Sequence, residues 1–373
     1  MMEYPIHALL RMAAQLQASD LHLTAGQEPV VRVNGALLPL KSFDFSYDDL
    51  HTMPDWQKAD RGAAAHQKGF AVAEPQNLFA GMTDSGRADE VWQLFDPVLP
   101  EKQRLLLKKQ GECDFACALH SGQRFRVNLY YSGGTLSSAI RIIPGKVPSC
   151  QELGLPEAVR RLSALRSGLV LVTGVTGSGK STTLAALLQE VNRIRAAHIV
   201  TLEDPVEYRF VPAKSIIHQR EIGNDTETFA SGLRAALRED PDIIMVGELR
   251  DLETIAVAVT AAETGHLVFA TLHTRSASET INRMIDVFPE QQQRQIRVQL
   301  AGSLQAVVTQ QLLPDRRGGR TAAFEIMIVT AALRNLIREG KIQQMDSYIR
   351  TGAQFGMQTM EEAVAELKRN GII

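Results

Sequence analysis

Hydrophobic and polar positions follow different periods in the two parts of this chain. From residue 168 onward, short apolar runs alternate with segments of helical period, and the runs read GLVLVT, HIVTLE, DIIMVGE and HLVFATLH. Buried strands that alternate with helices predict a parallel sheet covered by helices, with ligands at the carboxyl ends of the strands. Before that region, SDLHLTAGQEPVVRVNGALLPL and QRFRVNLYYSGGTLSSAIRIIP alternate at every second residue, which predicts antiparallel strands. The pattern therefore predicts a small α+β domain followed by a larger α/β domain.

Turn and cap residues mark the ends of these elements. Asn34-Gly35 and Gly133-Gly134 predict tight hairpin turns. Residues 5–18 have the period of a helix. Near the C terminus, TMEE predicts a helix that opens with a capping box of Thr359 and Glu362.

Domain boundaries follow from the segments that lack a period. PGKVPSCQELGLP is rich in breaker residues and predicts a linker at residues 148–155. We therefore place an N-terminal domain at residues 1–147 and a second domain at residues 156–373. The stretch from about 44 to 90 shows no sustained period, and we interpret it as an irregular insertion in the first domain.

A glycine-rich loop follows the first apolar run. GVTGSGKST, residues 174–182, fits the phosphate-loop pattern G-x-x-x-x-G-K-[ST], and an amphipathic helix is predicted to start directly after it. In such a loop, main-chain N–H groups and the helix N-terminus surround the phosphates, Lys180 reaches the β and γ oxygens, and Ser181 ligates Mg²⁺. We therefore expect ATP and Mg²⁺ as ligands. The predicted nucleotide-binding residues are Gly174, Thr176, Gly177, Ser178, Gly179, Lys180, Ser181 and Thr182.

Polar side chains follow the other three predicted strands at the same end of the sheet. Hydrolysis of ATP needs a group that orients the attacking water and ligands that hold Mg²⁺ near the γ-phosphate. We predict that Glu248 orients and polarises the water, that Glu203 and Asp204 hold Mg²⁺ through its waters or share the role of base, and that His273 senses the γ-phosphate. The alternative for Glu248 is a simple ion pair with Arg250. For Glu207, also at this end, the functional and structural interpretations are evenly matched.

Two pairs of potential metal ligands are too far apart to act together. His266 and His273 lie at opposite ends of one predicted strand, about 23 Å apart at ~3.3 Å per residue, so we expect His266 to be structural. Cys113 and Cys117 lie on one face of a predicted strand, with Cα atoms about 13 Å apart. Neither a disulfide nor a zinc pair follows, and we expect both cysteines in the core.

Arg124, Arg126 and Arg141 lie on the second hairpin, without an evident acidic partner at strand spacing. One interpretation is a solvated charged face that discourages strand pairing. The other is an arginine clamp that closes on the γ-phosphate. The residues alone leave both open.

Composition limits the classes of partner. The net charge is -2, so no basic excess argues for nucleic acid as the main partner. Three cysteines are too few for a disulfide framework and suit a reducing compartment. The N-terminal residues lack the pattern of a signal peptide, and no apolar run reaches spanning length. We therefore expect a cytoplasmic protein without a direct membrane span.

Several longer segments together resemble the type IV pilus retraction ATPases, the PilT-like branch of the secretion ATPase superfamily. They read LEDPVEY, QREIG, ALREDPDIIMVGELRDLETI, AAETGHLVFATLHT and ALRNLIREGK. The resemblance implies an α/β fold in which a RecA-like P-loop ATPase core follows a smaller N-terminal α+β, PAS-like domain. It also implies a homohexamer that hydrolyses ATP to power pilus retraction at the inner face of the cytoplasmic membrane.

The resemblance also implies roles for particular residues. Gly174–Thr182 match the Walker A loop, Glu203–Glu207 the aspartate box, and Gly247 with Glu248 the atypical Walker B motif. His266 and His273 match the histidine box. The family's arginines that contact the γ-phosphate match Arg126 and Arg141, while Arg124 is a weaker match, and the sequence leaves open which subunit's nucleotide they touch.

The segment ALRNLIRE, residues 332–339, resembles a signature of the retraction branch, and its polar residues are predicted to form one face that meets a neighbour or transmits motion. These residues are Arg334, Asn335, Arg338 and Glu339. Residues 248–373 contain no cysteine, so the four-cysteine zinc site of the related assembly ATPases cannot form.

The resemblance implies a PilC-like inner-membrane platform protein as partner, and a paralogous retraction ATPase as a second one. The alternatives are a pilus assembly or type II secretion ATPase, a weakly hydrolysing accessory ring subunit, and a DNA-translocating ring, which the charge disfavours. The insertion at about 44–90 exceeds what the family predicts, and we assign it no chemistry.

Overall fold

The computed structural model describes residues 5–33, 35–42, 90–143 and 145–373. The chain divides into two units, Met1–Gly145 and Lys146–Ile373. The predicted turn at Asn34 and residues 44–89 of the predicted insertion lie outside the described residues. Within the described parts, none of the helices combines the length and the apolar composition that crossing a membrane requires.

The first unit is built on an antiparallel sheet of six strands in the order β3-β2-β1-β6-β5-β4. The strands are β1 (Asp20–Thr24), β2 (Val30–Val33), β3 (Ala36–Pro39), β4 (Glu112–Ala118), β5 (Arg124–Ser132) and β6 (Thr135–Ile143). The helices are α1 (Pro5–Gln15), α2 (Glu90–Phe95) and α3 (Glu101–Gln110), with a 3₁₀ turn at Leu40–Ser42. The predicted hairpin at Gly133-Gly134 is confirmed, since both glycines have positive φ and Ser132 pairs with Thr135.

Alternation in these strands divides the sheet into an apolar and a polar face. Phe125, Val127 and Leu129 of β5 are fully buried and pack in one cluster with Leu9 of α1 and Phe95 of α2. The intervening residues of β5 are partly exposed. This is the burial pattern of a sheet covered by helices on one face only.

The second unit is built on a sheet of seven strands in the order β13-β12-β7-β11-β10-β8-β9. The strands are β7 (Gly168–Thr173), β8 (His198–Glu203), β9 (Ile216–Glu221), β10 (Ile243–Val246), β11 (Leu267–Leu272), β12 (Leu304–Pro314) and β13 (Arg320–Ile328). Only the β12–β13 pair is antiparallel among these strands. The four predicted strands are confirmed as its parallel centre.

Helices cover both faces of this sheet. They are α4 (Glu157–Arg160), α5 (Lys180–Ile194), α6 (Phe229–Ala236), α7 (Leu252–Glu263), α8 (Ala277–Asp286), α9 (Glu290–Ser303), α10 (Ala331–Glu339), α11 (Met345–Thr351) and α12 (Met360–Arg369), with 3₁₀ turns at Arg161–Ala164, Ile342–Gln344 and Ala353–Phe355. Every residue of β7 is buried, with Val170 and Val172 in one cluster and Leu169 and Leu171 in the other. Burial on both faces explains why these strands read as continuous apolar runs.

Two features of the second unit were not predicted from the sequence. The edge strand β9 reads IIHQRE and is largely polar, and β12 with β13 forms a hairpin at the opposite edge. A partly exposed edge strand carries little apolar signal, which explains why β9 was missed. The predicted capping box is confirmed, because Thr359 Oγ1 accepts from Glu362 N and Glu362 Oε2 accepts from Thr359 N.

Candidate functional site

The predicted phosphate loop connects β7 to α5 and is shaped by glycine conformations. Gly174, Gly177 and Gly179 have φ of 142°, 78° and 90°, a region that other L-residues rarely adopt. Ser178 N donates to Val175 O at 3.2 Å, which closes the loop on itself. Ser178 is 2% exposed, and its Oγ has no hydrogen-bond partner among the described residues. A buried hydroxyl without a partner is uncommon, and among the described serines Ser178 shares this feature with Ser137 and Ser138 of the first unit.

Lys180 begins α5 and is only 8% exposed. Its Nζ donates to the main-chain oxygens of Gly174 at 2.8 Å and Val175 at 3.1 Å, so the ammonium is held against the loop. Burial lowers the pKa of Lys180, while the nearby carboxylates of Glu248 and Glu207 act in the opposite direction. The loop's cation therefore lies within electrostatic range of two of the acidic residues that follow the strands.

Glu248 lies just beyond β10 and has two nitrogen-bearing partners. Its Oε2 is 2.7 Å from Arg250 NH2, and its Oε1 is 3.3 Å from His273 Nε2. Burial raises the pKa of the Glu248 carboxyl, but the hydrogen bond and charge of Arg250, together with His273, outweigh it and hold this pKa below its usual value. The ion pair considered as the alternative is present, and it lies within the cluster that contains Lys180 and His273.

His273, just beyond the end of β11, connects Glu248 to the phosphate loop. Its Nδ1 lies 3.4 Å from Thr176 Oγ1, and its side chain is 41% exposed. The ring therefore faces Glu248 with Nε2 and Thr176 with Nδ1. The three residues then form one chain of contacts from loop to carboxylate.

The acidic residues that follow β8 occupy different environments. Glu203 is 7% exposed, and its Oε1 accepts from Thr201 Oγ1 at 2.6 Å and Gln219 Nε2 at 3.1 Å. Burial raises the pKa of this carboxyl in spite of those hydrogen bonds. Asp204 is exposed and acts electrostatically on Arg250, whereas Glu207 acts on Lys180. Glu207 thus lies within electrostatic range of Lys180, the cation of the loop.

Two arginines of the second hairpin pair with acidic residues of neighbouring strands. Arg126 Nε is 3.5 Å from Asp114 Oδ1 on β4, and Arg141 Nε is 3.1 Å from Asp20 Oδ1 on β1. Neither partner is local in the sequence, because both come from other strands that the sheet brings alongside. Arg126 and Arg141 are directly opposite each other across β5 and β6, and Arg124 lies on the same partly exposed face.

The side chain of Arg334 contacts the carboxyl end of α9. The prediction that all four polar residues of α10 form one exposed face is therefore only partly correct. Arg334 NH1 donates to Ala301 O at 2.6 Å and Gly302 O at 2.8 Å, and its NH2 to Gln305 Oε1 at 3.3 Å. These groups lie where α9 ends and β12 begins, so the guanidinium caps the carboxyl end of α9. The other three polar residues of the signature are exposed, and Asn335 Nδ2 donates to Glu339 Oε1 at 2.9 Å.

The residues interpreted as structural have structural surroundings. His266 Nδ1 lies 3.0 Å from Ala261 O and 3.2 Å from Thr264 Oγ1, at the opposite end of β11 from His273. Cys113 and Cys117 are free thiols: Cys113 is buried in the core of the first unit, and Cys117 is partly buried and packs against that core. Burial raises the pKa of Cys117 to about 11, so this thiol is not a reactive one.

Some residues around the loop carry no motif and were missed by sequence reasoning. Tyr208 OH lies 3.0 Å from Thr182 Oγ1, and Gln219 and Thr201 hold Glu203. Gln310 of β12 accepts from Thr183 Oγ1 at 2.7 Å. Tyr208 falls within the LEDPVEY segment quoted above, but the others come from strands whose neighbours only the sheet defines.

Comparison with known proteins identifies a family and individual proteins to which this chain is similar. The family described as Type II/IV secretion system protein matches residues 139–317. The type IV pilus retraction ATPase PilT of Pseudomonas aeruginosa is 43% identical over 368 residues, which cover 99% of this chain and 95% of that protein. The type IV pilus ATPase PilU of the same organism is 34% identical over 98% of this chain and 85% of that protein.

A solved structure of a similar protein has the same fold as this chain. The crystal structure of the pilus retraction motor PilT with bound ADP has a TM-score of 0.81 to this chain at 42% identity. The match covers 98% of this chain and 93% of the other. The mixed α/β architecture described above is therefore that of a solved retraction motor.

Proposed function

We propose that this chain, which belongs to the type IV pilus retraction ATPases of the Type II/IV secretion system protein family, hydrolyses ATP to power pilus retraction. The observation that carries the proposal is the contact chain from Thr176 through His273 to Glu248, with Lys180 within electrostatic range of the carboxylate. A phosphate loop, a carboxylate and a histidine meet at one edge of the sheet. Hydrolysis of a bound nucleotide requires this convergence.

The loop residues fit a nucleoside triphosphate. Three glycines with positive φ leave room for main-chain N–H groups to face a phosphate, and the unpartnered Ser178 hydroxyl offers a further polar group. Ser181 would hold Mg²⁺ directly, with Glu203 and Asp204 acting through its waters, and Asp204 is the more accessible of the two. Bound there, Mg²⁺ would neutralise charge on the phosphate oxygens. Nucleotide binding also agrees with the ADP in the related motor.

Three residues of the protein have different roles in the proposed hydrolysis. Glu248 has a pKa below its usual value, so its carboxylate is ionised at neutral pH and can accept a hydrogen bond from the attacking water. His273 orients that carboxylate and senses the γ-phosphate through its link to Thr176. Lys180 supplies a fixed positive charge beside the loop.

The overall organisation is part of the same proposal. Residues 1–147 form a PAS-like domain, residues 148–155 a linker, and residues 156–373 a RecA-like ATPase domain. Six copies assemble into a ring, and Arg126 and Arg141 contact the γ-phosphate of a bound ATP. Their side chains are 39% and 69% exposed, and their ion pairs are weak. Both features support this role, because such an arginine can leave its carboxylate and bind a phosphate oxygen instead.

The partner of this ring is a PilC-like platform protein of the inner membrane, which places the motor in the cytoplasm at the membrane's inner face. A PilU-like paralogue is a second partner. The accessory-subunit alternative is less favoured, because Lys180, Ser181 and Glu248 are all present. The assembly-ATPase alternative is less favoured because residues 248–373 lack cysteine.

The test is Mg²⁺-dependent ATP turnover measured together with the assembly state. We expect turnover by a six-subunit ring that falls about 10²- to 10⁴-fold in Glu248→Gln while nucleotide binding persists. Lys180→Ala loses binding as well. Glu366→Gln, an exposed carboxylate on α12, is the matched control and keeps full turnover. Wild-type turnover no faster than that of Glu248→Gln would replace the motor by the accessory-subunit alternative.

A further inference from the structure

Gln310 belongs to β12 yet lies against both ends of the phosphate loop. The residue is 3% exposed. It directly follows Thr309, which pairs with Thr173 at the last register position of β12 and β7. The hydroxyls of these two threonines lie 3.0 Å apart. The strand that carries Gln310 is therefore fixed to the residue from which the loop starts.

The side-chain oxygen of Gln310 serves the helix that follows the loop. Oε1 accepts from Thr183 Oγ1 at 2.7 Å, and Thr183 is itself 1% exposed. Thr183 N in turn donates to Gly179 O at 3.0 Å, within the first turn of α5. A buried hydroxyl that loses its acceptor is costly, so this bond fixes the start of α5 relative to β12.

The other polar groups of Gln310 face the two glycines that bound the loop. A Cβ atom at Gly174 would lie 2.3 Å from the main-chain oxygen of Gln310, and one at Gly179 would lie 2.8 Å from its Nε2. Both distances are too short for a real Cβ atom. Glycine is therefore required at these positions for close approach to Gln310 as well as for backbone conformation.

We propose that Gln310 is a positioning residue for phosphate binding: it fixes the two ends of the loop relative to α5 and keeps an uncharged amide beside Gly179. This inference deepens the proposed function and rests on it. Loop N–H groups contact the β-phosphate, which ATP and ADP share. A loop whose ends move loses these contacts equally for both nucleotides and for the transition state, so affinity falls while the maximal rate is kept.

Two variants separate the parts played by Gln310. Gln310→Glu keeps an acceptor for Thr183 but puts negative charge where the amide faces the loop. Gln310→Leu removes both the acceptor and the amide. Gln311→Glu and Gln311→Leu are matched controls, because Gln311 is the next residue of β12 and alternation directs its side chain to the other face of the sheet.

The experiment measures dissociation constants of ADP and a fluorescent ATP analogue on the full-length protein, and separately the KM and kcat of ATP turnover. We expect both Gln310 variants to bind both nucleotides about tenfold or more weakly, with KM raised in step and kcat changed by less than about threefold. Both Gln311 variants keep wild-type values. A role in stability alone would lower the melting temperature without changing the affinity of the folded protein.

The outcomes are distinguishable from failure of the proposed function. If folded Gln310→Leu binds ADP and the ATP analogue as tightly as wild type, the positioning role is wrong whether or not turnover occurs. If the wild type binds nucleotide without turnover, the motor is wrong, while the dissociation constants still test Gln310. Should Gln310→Leu fail to fold, Gln310→Glu still tests the uncharged amide beside Gly179, and wild-type affinity in that variant would overturn this part of the proposal.

Discussion

The Arg250 guanidinium lies 2.7 Å from the carboxylate of Glu248, the residue proposed to orient the attacking water. Arg250 is 63% exposed, whereas Glu248 is 18% exposed, so the pair joins an exposed guanidinium to a largely buried carboxylate. This contact and the one to His273 counteract the burial of Glu248 and lower its pKa. A pair that sequence reasoning treated as an alternative to catalysis thus tunes the group that catalysis needs.

The first prediction concerns pH. The folded pKa of Glu248 is below the reference value of 4.5, so its ionised form is complete above that pH and is lost only as pH falls through the folded pKa. Arg250→Met removes the hydrogen bond and the charge that lower the pKa of Glu248, so burial raises this pKa in the variant. We therefore expect the acid limb of kcat/KM to move to higher pH in Arg250→Met, measured between pH 4 and 8.

Arg234→Met is the control for that experiment, because it removes another exposed arginine from a glutamate pair, the one with Glu253. Its acid limb stays at the wild-type position. Since Arg250 is largely exposed, high salt weakens its effect, and the two limbs approach each other at 1 M salt. An unchanged limb in Arg250→Met at low salt would contradict the link between the pair and the pKa.

The second prediction compares the two histidines that flank β11, His266 and His273. His273→Asn breaks the contacts to Glu248 and Thr176, and we expect turnover to fall about 10²-fold, as for the loss of one oriented polar group in a site. His266→Asn is the matched control at the other end of the strand, where the ring contacts Ala261 O. It keeps full turnover. Equal losses in the two variants would show that His273 acts only on stability.

The third prediction concerns the exposed arginines of the first unit. Arg126→Met and Arg141→Met should each reduce turnover by at least about 10²-fold, because an arginine that contacts the γ-phosphate acts in the transition state. Both arginine side chains are exposed in their pairs with Asp114 and Asp20, so we expect the free energy of unfolding to change by no more than ~1 kcal/mol. Urea denaturation and ATP turnover are measured on the same preparations.

Asp114→Asn is the control for the arginine variants, since it releases Arg126 without removing it. Turnover in this variant stays at or above the wild-type rate. If neither arginine variant lowers turnover, the face is a solvated charged surface, the other interpretation that the sequence permitted.

The fourth prediction concerns the helix cap. Arg334→Leu removes three hydrogen bonds at the junction of α9 and β12, and we expect a loss of about 1–3 kcal/mol in the free energy of unfolding. Arg338→Leu, an exposed arginine on the same helix, changes it by less than ~0.5 kcal/mol. Similar values for the two variants in urea titrations would contradict the capping role.

The sequence by itself determined the parts of this protein that depend on neighbours along the chain. The phosphate loop, the central strands, the hairpin at Gly133-Gly134 and the cap at Thr359 were all predicted, because each is encoded by local periodicity or by a residue type that a turn requires. Glu248 and His273 were predicted at the same edge, because parallel strands end together.

Only the tertiary structure decided which side chains meet across strands and between helices. Asp114 and Asp20 became partners of arginines through sheet pairing, and Arg334 met α9 through helix packing. Gln310 lies 136 residues after Gly174, and no local pattern relates them. Such contacts join residues far apart in the chain, and a single sequence carries no record of them until the elements pack.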